Sequence, residues 1–384
     1  MPTTRLKNTL YRLALPVKAP RLYPELTAKG DPLSSPDAFL RLLRMHHVMG
    51  SATLLKDQSH RSVLLCSSRN PDHSVFWHSM FRVASITKMA TALAALRAAE
   101  EGMLALDLPV LSYFPQISSL PDLQDVTLLH LLSHTSGLMD PPDMESALIQ
   151  EKTFPEIVLN TRQSVPGTEF HYSNLGFGLI GSLLEAVYSK PVSKVLKNLV
   201  FSPLGMNATL DASELLPEQI VPITRVFPYH SGKDLVKTPL GERPLTKPDP
   251  LRHYGHTAGA MYLDLPSLEK LTDCLMRNGQ PILKTDLGQV MIRKHAEYGQ
   301  ISPTLSYGLG ILRIQDRSLS DSLIFGHQGF AYGCADGAFW EDGTNRMVLF
   351  LNGGASEARK GRLGLCNYDL LKWAFRKEMP QWSR

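Results

Sequence analysis

The order of apolar patterns along the chain most limits how it can fold. Strand-like segments stand near both ends, and helix-like segments fill the middle. Near the start, "GSATLLK" (50–56), "SVLLCSS" (62–68) and "SVFWHS" (74–79) alternate or run apolar between turn-forming residues. Near the end come "YGLGILRI" (307–314), "SLIFGHQG" (322–329), "ADGAFWED" (335–342) and "NRMVLFLNG" (345–353), with "EDGT" (341–344) as a tight-turn signal. Between them "DVTLLHLLSH" (125–134) and "NLGFGLIGSLLEAVYSK" (174–190) carry apolar residues at helical spacing. A sheet built from both ends requires an α/β (α+β) fold that is discontinuous in sequence. The expectation is an antiparallel sheet flanked by helices, with an inserted, mainly helical domain. Its boundaries are read as an N-terminal arm over 1–35, a sheet domain over 36–102 and 270–384, and a helical domain over 103–269. A cleft between the two larger parts is the natural place for a site.

Residues 207–257 break the pattern, because seven prolines fall between Pro217 and Pro250. A loop of that length in a compact protein reads as functional, most simply a lid, or as disordered. Its cations, among them Arg225, Lys233, Lys237, Arg243 and Arg252, read as solvated surface.

Charge narrows the partners. Lys+Arg 40 against Asp+Glu 36 gives +4, and the basic residues form no run that would grip a nucleic acid. A small-molecule or peptide substrate is the expected partner, with no nucleic acid and no membrane. Arg12 and Lys18 interrupt the N-terminal segment, which argues against a secretory signal, so a cytoplasmic setting is expected. Cys66, Cys274, Cys334 and Cys366 lie far apart without a C-x-x-C and read as reduced, buried thiols. No cofactor or metal is expected.

Three short motifs carry possible chemistry. In "FRVASITKMATALAALRAAEEG" (81–102), Ser85 and Lys88 are three residues apart at the start of a helix that stops near Gly102. That spacing puts both side chains on one face, within hydrogen-bonding reach. The helix N-terminus favours an alkoxide, and a lysine whose pKa is lowered can act as base. Read alone, the same residues describe an ordinary helix start. Ser267 and Lys270 repeat the spacing just after Pro266 and read that way. The second motif is Tyr172-Ser173-Asn174, the one place where a tyrosine is followed two residues later by asparagine. A phenol beside a lysine can relay a proton, and the amide can orient the lysine or hold a substrate carbonyl. The third is His327-Gln328-Gly329, where a glycine lets substrate approach the backbone. The N–H of Phe330 can there complete an oxyanion pair with the N–H of Ser85. His230-Ser-Gly232 and His253-Tyr-Gly255 share the bare pattern.

Two other arrangements compete with these motifs. His130 and His134 have the i, i+4 spacing of a helical zinc pair but lack the accompanying glutamate, and read as packing or loop-tethering residues. Cys334 on a strand reads as structural rather than as a thiol nucleophile.

Taken together the motifs carry a resemblance. Ser-x-x-Lys opening a helix after strands, Tyr-x-Asn in the helical block and His-x-Gly on a late strand are similar to the serine β-lactamase and penicillin-binding-protein superfamily. The nearer branch is that of class C β-lactamases, D-alanyl-D-alanine carboxypeptidases and esterases. "LLSHTSGL" (131–138), "PGTEFHYSNLGFGLIG" (166–181), "SPLGM" (202–206) and "YGLGI" (307–311) extend the likeness over about 38–375. The resemblance implies a serine hydrolase that forms an acyl-enzyme at Ser85 and cleaves an amide, ester or β-lactam bond. It implies Lys88 as proton-accepting partner, Tyr172 as general acid/base, and Asn174, His327 and Gly329 as positioning residues. The N–H groups of Ser85 and Phe330 are the implied oxyanion hole. Gln328 departs from the usual third motif and puts recognition of a substrate carboxylate in doubt. An acyltransferase on the same site, or a silent scaffold or filament-forming relative, is the alternative.

Overall fold

The computed structural model describes residues 22–25, 36–68, 74–117, 119–224, 244–300, 302–331 and 333–376. The strands needed below are β1 (Leu22–Glu25), β2 (Ser51–Lys56), β3 (Arg61–Ser68), β4 (Phe81–Arg82), β5 (Ala208–Thr209), β6 (Tyr262–Leu263), β7 (Ala296–Glu297), β8 (Leu305–Tyr307), β9 (Leu312–Ile314), β10 (Ile324–Ala331), β11 (Cys334–Glu341) and β12 (Met347–Asn352). The helices needed below are α1 (Pro36–Met45), α2 (Thr87–Glu100), α3 (Leu128–Leu132), α4 (Met144–Ile149), α5 (Asn174–Tyr188), α6 (His256–Gly259), α7 (Leu265–Met276) and α8 (Leu365–Arg376).

Nine strands form one antiparallel sheet in the order β1-β3-β2-β12-β11-β10-β9-β8-β7. The last long strand, β12, therefore lies beside the first long one, β2, and the helical middle of the chain leaves the sheet and returns to it. A small second sheet, β4-β6-β5, links the segment before α2 to that returning chain.

Side-chain alternation divides the core in two. Ala52, Leu54, Leu349 and Leu351 face the helical block, while Leu64, Val348 and Phe350 face α1 and α8, where Phe39, Leu42, Leu371 and Trp373 cover them. Helix α2 runs through the first core with eleven of its fourteen residues buried. Its alanines let neighbours come close, and each fully buried Leu93 or Leu96 side chain contributes about 1.5–3 kcal/mol. A lysine on such a helix has no route to solvent, which is the origin of the chemistry below.

Several sequence expectations are corrected. "SVFWHS" is a turn, because Phe76 N–H bonds the Ser79 hydroxyl (2.8 Å) and Ser79 N–H bonds the Phe76 carbonyl (3.1 Å). "YGLGILRI" is two strands, β8 and β9, with Gly310 at φ 72° in the bend between them. "DVTLLHLLSH" shrinks to the five-residue α3, whose capping box uses Thr127 and His130. Of the supposed N-terminal arm, 22–25 pairs with β3, and its remainder lies outside the described residues. The lid reading of 207–257 falls partly outside as well, at 225–243, which takes Arg225, His230, Lys233, Lys237 and Arg243 with it. The described flanks are packed onto the body: Leu210, Val221, Ile223, Leu245 and Tyr254 are buried, and Leu245 N–H bonds Asp211.

Candidate active site

Ser85 sits in a 3-10 turn, Ala84–Ile86, immediately before α2 rather than inside it. Ala84 takes a left-handed φ of 44°, which costs an alanine about 1–2 kcal/mol. The turn is held from both sides. Thr87 Oγ1 donates to the Ala84 carbonyl (2.6 Å) and accepts from Met261 N–H (3.1 Å), while Val83 N–H bonds the Met261 carbonyl (3.0 Å). Backbone strain kept in place by surrounding bonds is typical of functional turns. Ser85 is the half-exposed residue of the turn and opens onto a cleft of about 770 Å³.

Lys88, one helical turn on, is fully buried. Its Nζ lies 3.1 Å from Ser85 Oγ, 2.8 Å from Asn174 Oδ1 and 2.7 Å from the Ala258 carbonyl of α6. Burial pushes its pKa down to about 7, against the opposing pull of the Asp140 carboxylate. Asn174 is the first residue of α5, and the Ser173 hydroxyl caps that helix by accepting from Gly176 N–H (2.9 Å). Tyr172 Oη donates to Ser85 Oγ at 2.9 Å. Its ring lies 5.0 Å from Lys88 Nζ and 4.4 Å from the His134 ring, and burial pushes its phenol well above the usual tyrosine range. The serine oxygen thus stands between a phenol that gives a proton and an amine that can take one.

Strand β10 forms the opposite wall. The Ala335 N–H on β11 turns away from β10 to Asn352 Oδ1 on β12 (3.3 Å). In an antiparallel pair, partners that do not bond each other both point outward. Phe330, the partner of Ala335, therefore aims its N–H at the open edge of β10, toward the Ser85 turn. His327 lines the cleft but is occupied. Its Nε2 bonds Tyr307 Oη (2.8 Å), its Nδ1 bonds the Gln328 carbonyl (2.7 Å), and burial together with Lys88 lowers its pKa to about 3. Gln328 is occupied too, donating to the Arg362 carbonyl (2.7 Å) and accepting from Gly364 N–H (2.8 Å).

The structure therefore brings Ser85, Lys88, Tyr172 and Asn174 into one hydrogen-bonded cluster, with Gly329 and the Phe330 N–H beside them. It places His327 in the wall without a bond to that cluster. The repeated spacing at Ser267 is a helix start: Asp264 caps α7 through Ser267 N–H (2.9 Å), and exposed Lys270 bonds the Gly205 carbonyl. His130 accepts from Thr127 N–H (3.2 Å) and His134 from Ser173 N–H (3.1 Å), the tethering expected of them. Among the described residues no group of three or more His, Cys, Asp or Glu is arranged to hold a metal. All four cysteines are free and buried, and burial raises Cys334 well above the usual thiol range, so its thiolate is disfavoured. No helix among the described residues is long and apolar enough to cross a membrane.

A family described as Beta-lactamase matches residues 66–362, more than half of the chain and every residue of this cluster. The chain belongs to the beta-lactamase family. Within that family it is 31% identical over 193 residues to the esterase EstB of Burkholderia gladioli, covering 43% of this chain and 47% of that one. It is 28% identical over 145 residues to the D-alanyl-D-alanine-carboxypeptidase/endopeptidase AmpH of Escherichia coli K12, covering 34% and 36%. These matches span a third to a half of the relatives' lengths. Among solved structures, a D-stereospecific amidohydrolase from Streptomyces sp. superposes with a TM-score of 0.68 at 20% identity, over 87% of this chain and 96% of that one, a likeness of fold. The relatives named in sequence are hydrolases, an esterase and a carboxypeptidase/endopeptidase, and the amidohydrolase is a likeness of fold.

Two features of this family member were not foreseen from its sequence. Asp140 receives Asn174 Nδ2 at 2.7 Å, and the Ala258 carbonyl fixes Lys88. Neither carries a local signal: Asp140 sits in "GLMDPPD" with nothing to mark it, and a backbone carbonyl has no sequence signature at all.

Proposed function

We propose that the chain is a serine hydrolase that forms an acyl-enzyme on Ser85. The observation that carries this is the setting of the Lys88 amine. Two of its three partners, the Asn174 Oδ1 and the Ala258 carbonyl, can only accept hydrogen bonds. The neutral amine gives its two hydrogens to them, and its lone pair is left for the hydroxyl proton of Ser85. With a pKa near 7 the amine is substantially neutral at physiological pH.

In the first step Lys88 takes the Ser85 proton as Oγ bonds to the substrate carbonyl carbon. The carbonyl π electrons move to oxygen, and the N–H groups of Ser85 and Phe330 receive that oxyanion. As the tetrahedral adduct collapses, the bond to the leaving group breaks and Tyr172 gives it a proton. The Lys88 ammonium returns a proton to Tyr172 Oη in the same step, so the phenol is restored as the leaving group departs. Water then enters, loses a proton to the same pair and releases the acid, so that Ser85 regains its hydrogen. Because burial makes a phenolate costly, Tyr172 gives its proton to the leaving group only as it takes one from Lys88, and rests as a neutral phenol between steps.

Esters are the bond class the cleft favours. The side chains of His327 and Gln328, where a substrate carboxylate would be read, already have partners at both ends. The cleft wall from Met139 to Leu148 sets the apolar Met139, Pro142, Met144 and Leu148 beside the carboxylates Asp140 and Glu145. Arg82, Arg359 and Arg362 also line the cleft, and Arg359 lies over the Phe330 ring at 4.1 Å. The test compares p-nitrophenyl butyrate, a D-amino-acid p-nitroanilide and a chromogenic cephalosporin on the wild type and Ser85→Ala. The ester is expected to turn over fastest, and all turnover to vanish in the variant. Equal rates in the two proteins, or no turnover of any of the three, would overturn the reading.

A further inference from the structure

Asp140 stands in the turn between α3 and α4 and accepts three hydrogen bonds. Its Oδ2 receives Asn174 Nδ2 (2.7 Å), and its Oδ1 receives Leu175 N–H (2.9 Å) and the Ser173 hydroxyl (3.2 Å). All three donors come from consecutive residues at the start of α5. An asparagine amide fits a site equally well either way round, so its orientation is decided by its partners. A carboxylate only accepts. The Asn174 nitrogen must therefore face Asp140, and its oxygen must face Lys88.

We propose that Asp140 is a positioning residue: by holding the Asn174 amide one way round, it directs the lone pair of Lys88 onto Ser85. The proposal rests on the reading of Ser85 and Lys88 given above. Were the amide reversed, its N–H would point at Lys88 and occupy the lone pair, and the serine would lose its base. Asp140 also acts through its charge. Among the described residues, the titratable groups facing Lys88 are Tyr172 from the loop before α5, His134 from the turn after α3, His327 from β10, and Asp140. Burial keeps both histidines and the phenol neutral. Asp140 is thus the full charge that faces the amine, and it favours the ammonium form.

Asp140→Asn tests both effects with no change of size. An amide at 140 can donate to Asn174, which lets that side chain turn over, and it removes the negative charge. The plateau kcat/KM for p-nitrophenyl butyrate is expected to fall by about 10²-fold, counted per site titrated with a serine-reactive phosphonate. The acid limb of the pH profile is expected to move to lower pH, because the ammonium has lost its stabilising neighbour. A merely structural role would change the number of titratable sites and leave both the rate per site and the limb in place; that result overturns the proposal. If Asp140→Asn does not fold, Asp140→Glu replaces it. The charge then remains, so the limb should stay while the plateau falls, and an unchanged plateau counts against the proposal. Absence of Ser85-dependent turnover in the wild type would remove the foundation instead, and that is seen before any variant at 140 is made.

Discussion

Gly329 lies so close to Val83 that a Cβ at 329 would stand 2.3 Å from the Val83 carbonyl oxygen. Strand β10 and the turn bearing Ser85 are therefore in backbone contact, and a glycine is what permits it. Gly329→Ala must push the two apart. We expect a loss of about 10²-fold in kcat/KM, since displacements on the scale of an ångström at a reacting centre cost that much. The accompanying loss of stability should be about 1–3 kcal/mol, as for other overpacked positions. Ester turnover read beside a thermal melt checks this; unchanged turnover would show that the contact does not set the site's geometry.

The pH profile should have one limb. With Lys88 near 7, kcat/KM rises through that value as the amine loses its proton. Tyr172 and His327 are shifted out of the working range in opposite directions and add no limb between pH 5 and the ordinary tyrosine value of 10. A bell-shaped profile with a descending limb near pH 8 would assign the essential acid to a group other than Tyr172.

The same shift makes stability depend on pH. Folded Lys88 holds its proton only below about 7, whereas the unfolded chain holds it up to 10.5. Between these values the unfolded state binds the extra proton, so stability rises with pH across the window. Lys88→Met lacks the group. Relative to that variant the wild type should gain stability steadily from pH 7 upward, measured by urea unfolding at several pH values. Parallel curves for the two proteins would mean that the folded amine titrates normally.

Much of the fold was legible in advance because it rests on patterning. The long strands, α2 and α5 declare themselves through apolar pattern, Ser267 marks the start of α7, and β2 beside β12 follows from strands at both ends. What failed was local. "SVFWHS" has the composition of a strand, yet a serine hydroxyl two residues past the tryptophan closes it into a turn. The Ser85, Lys88, Tyr172 and Asn174 cluster was legible because side-chain chemistry at fixed spacing is written in the sequence. The place of His327 in the cleft wall follows from its strand pattern, whereas its bond to Tyr307 has no local signal, because that partner lies on another strand. Asp140 was invisible for the related reason that its meaning comes from a contact 34 residues away.

Tyr172→Phe isolates the phenol. The ring contacts with His134 at 4.4 Å and Lys88 at 5.0 Å survive, and only the bond to Ser85 Oγ is lost. Acylation, followed as the pre-steady-state burst of p-nitrophenol, should slow by about 10²–10⁴-fold, the usual contribution of a positioned acid or base. The melting temperature should change little. A normal burst in a folded Tyr172→Phe would transfer proton delivery to another donor.

Every step proposed for Lys88 and Tyr172 leads through a covalent intermediate on Ser85. Its most direct test is the intact mass of the protein after rapid acid quench from p-nitrophenyl butyrate, with peptide mapping and Ser85→Ala in parallel. We predict one butyryl group per chain, located on Ser85 and absent from the variant. An adduct on any other residue, or turnover that persists in Ser85→Ala, would contradict the assignment of Ser85 as the nucleophile.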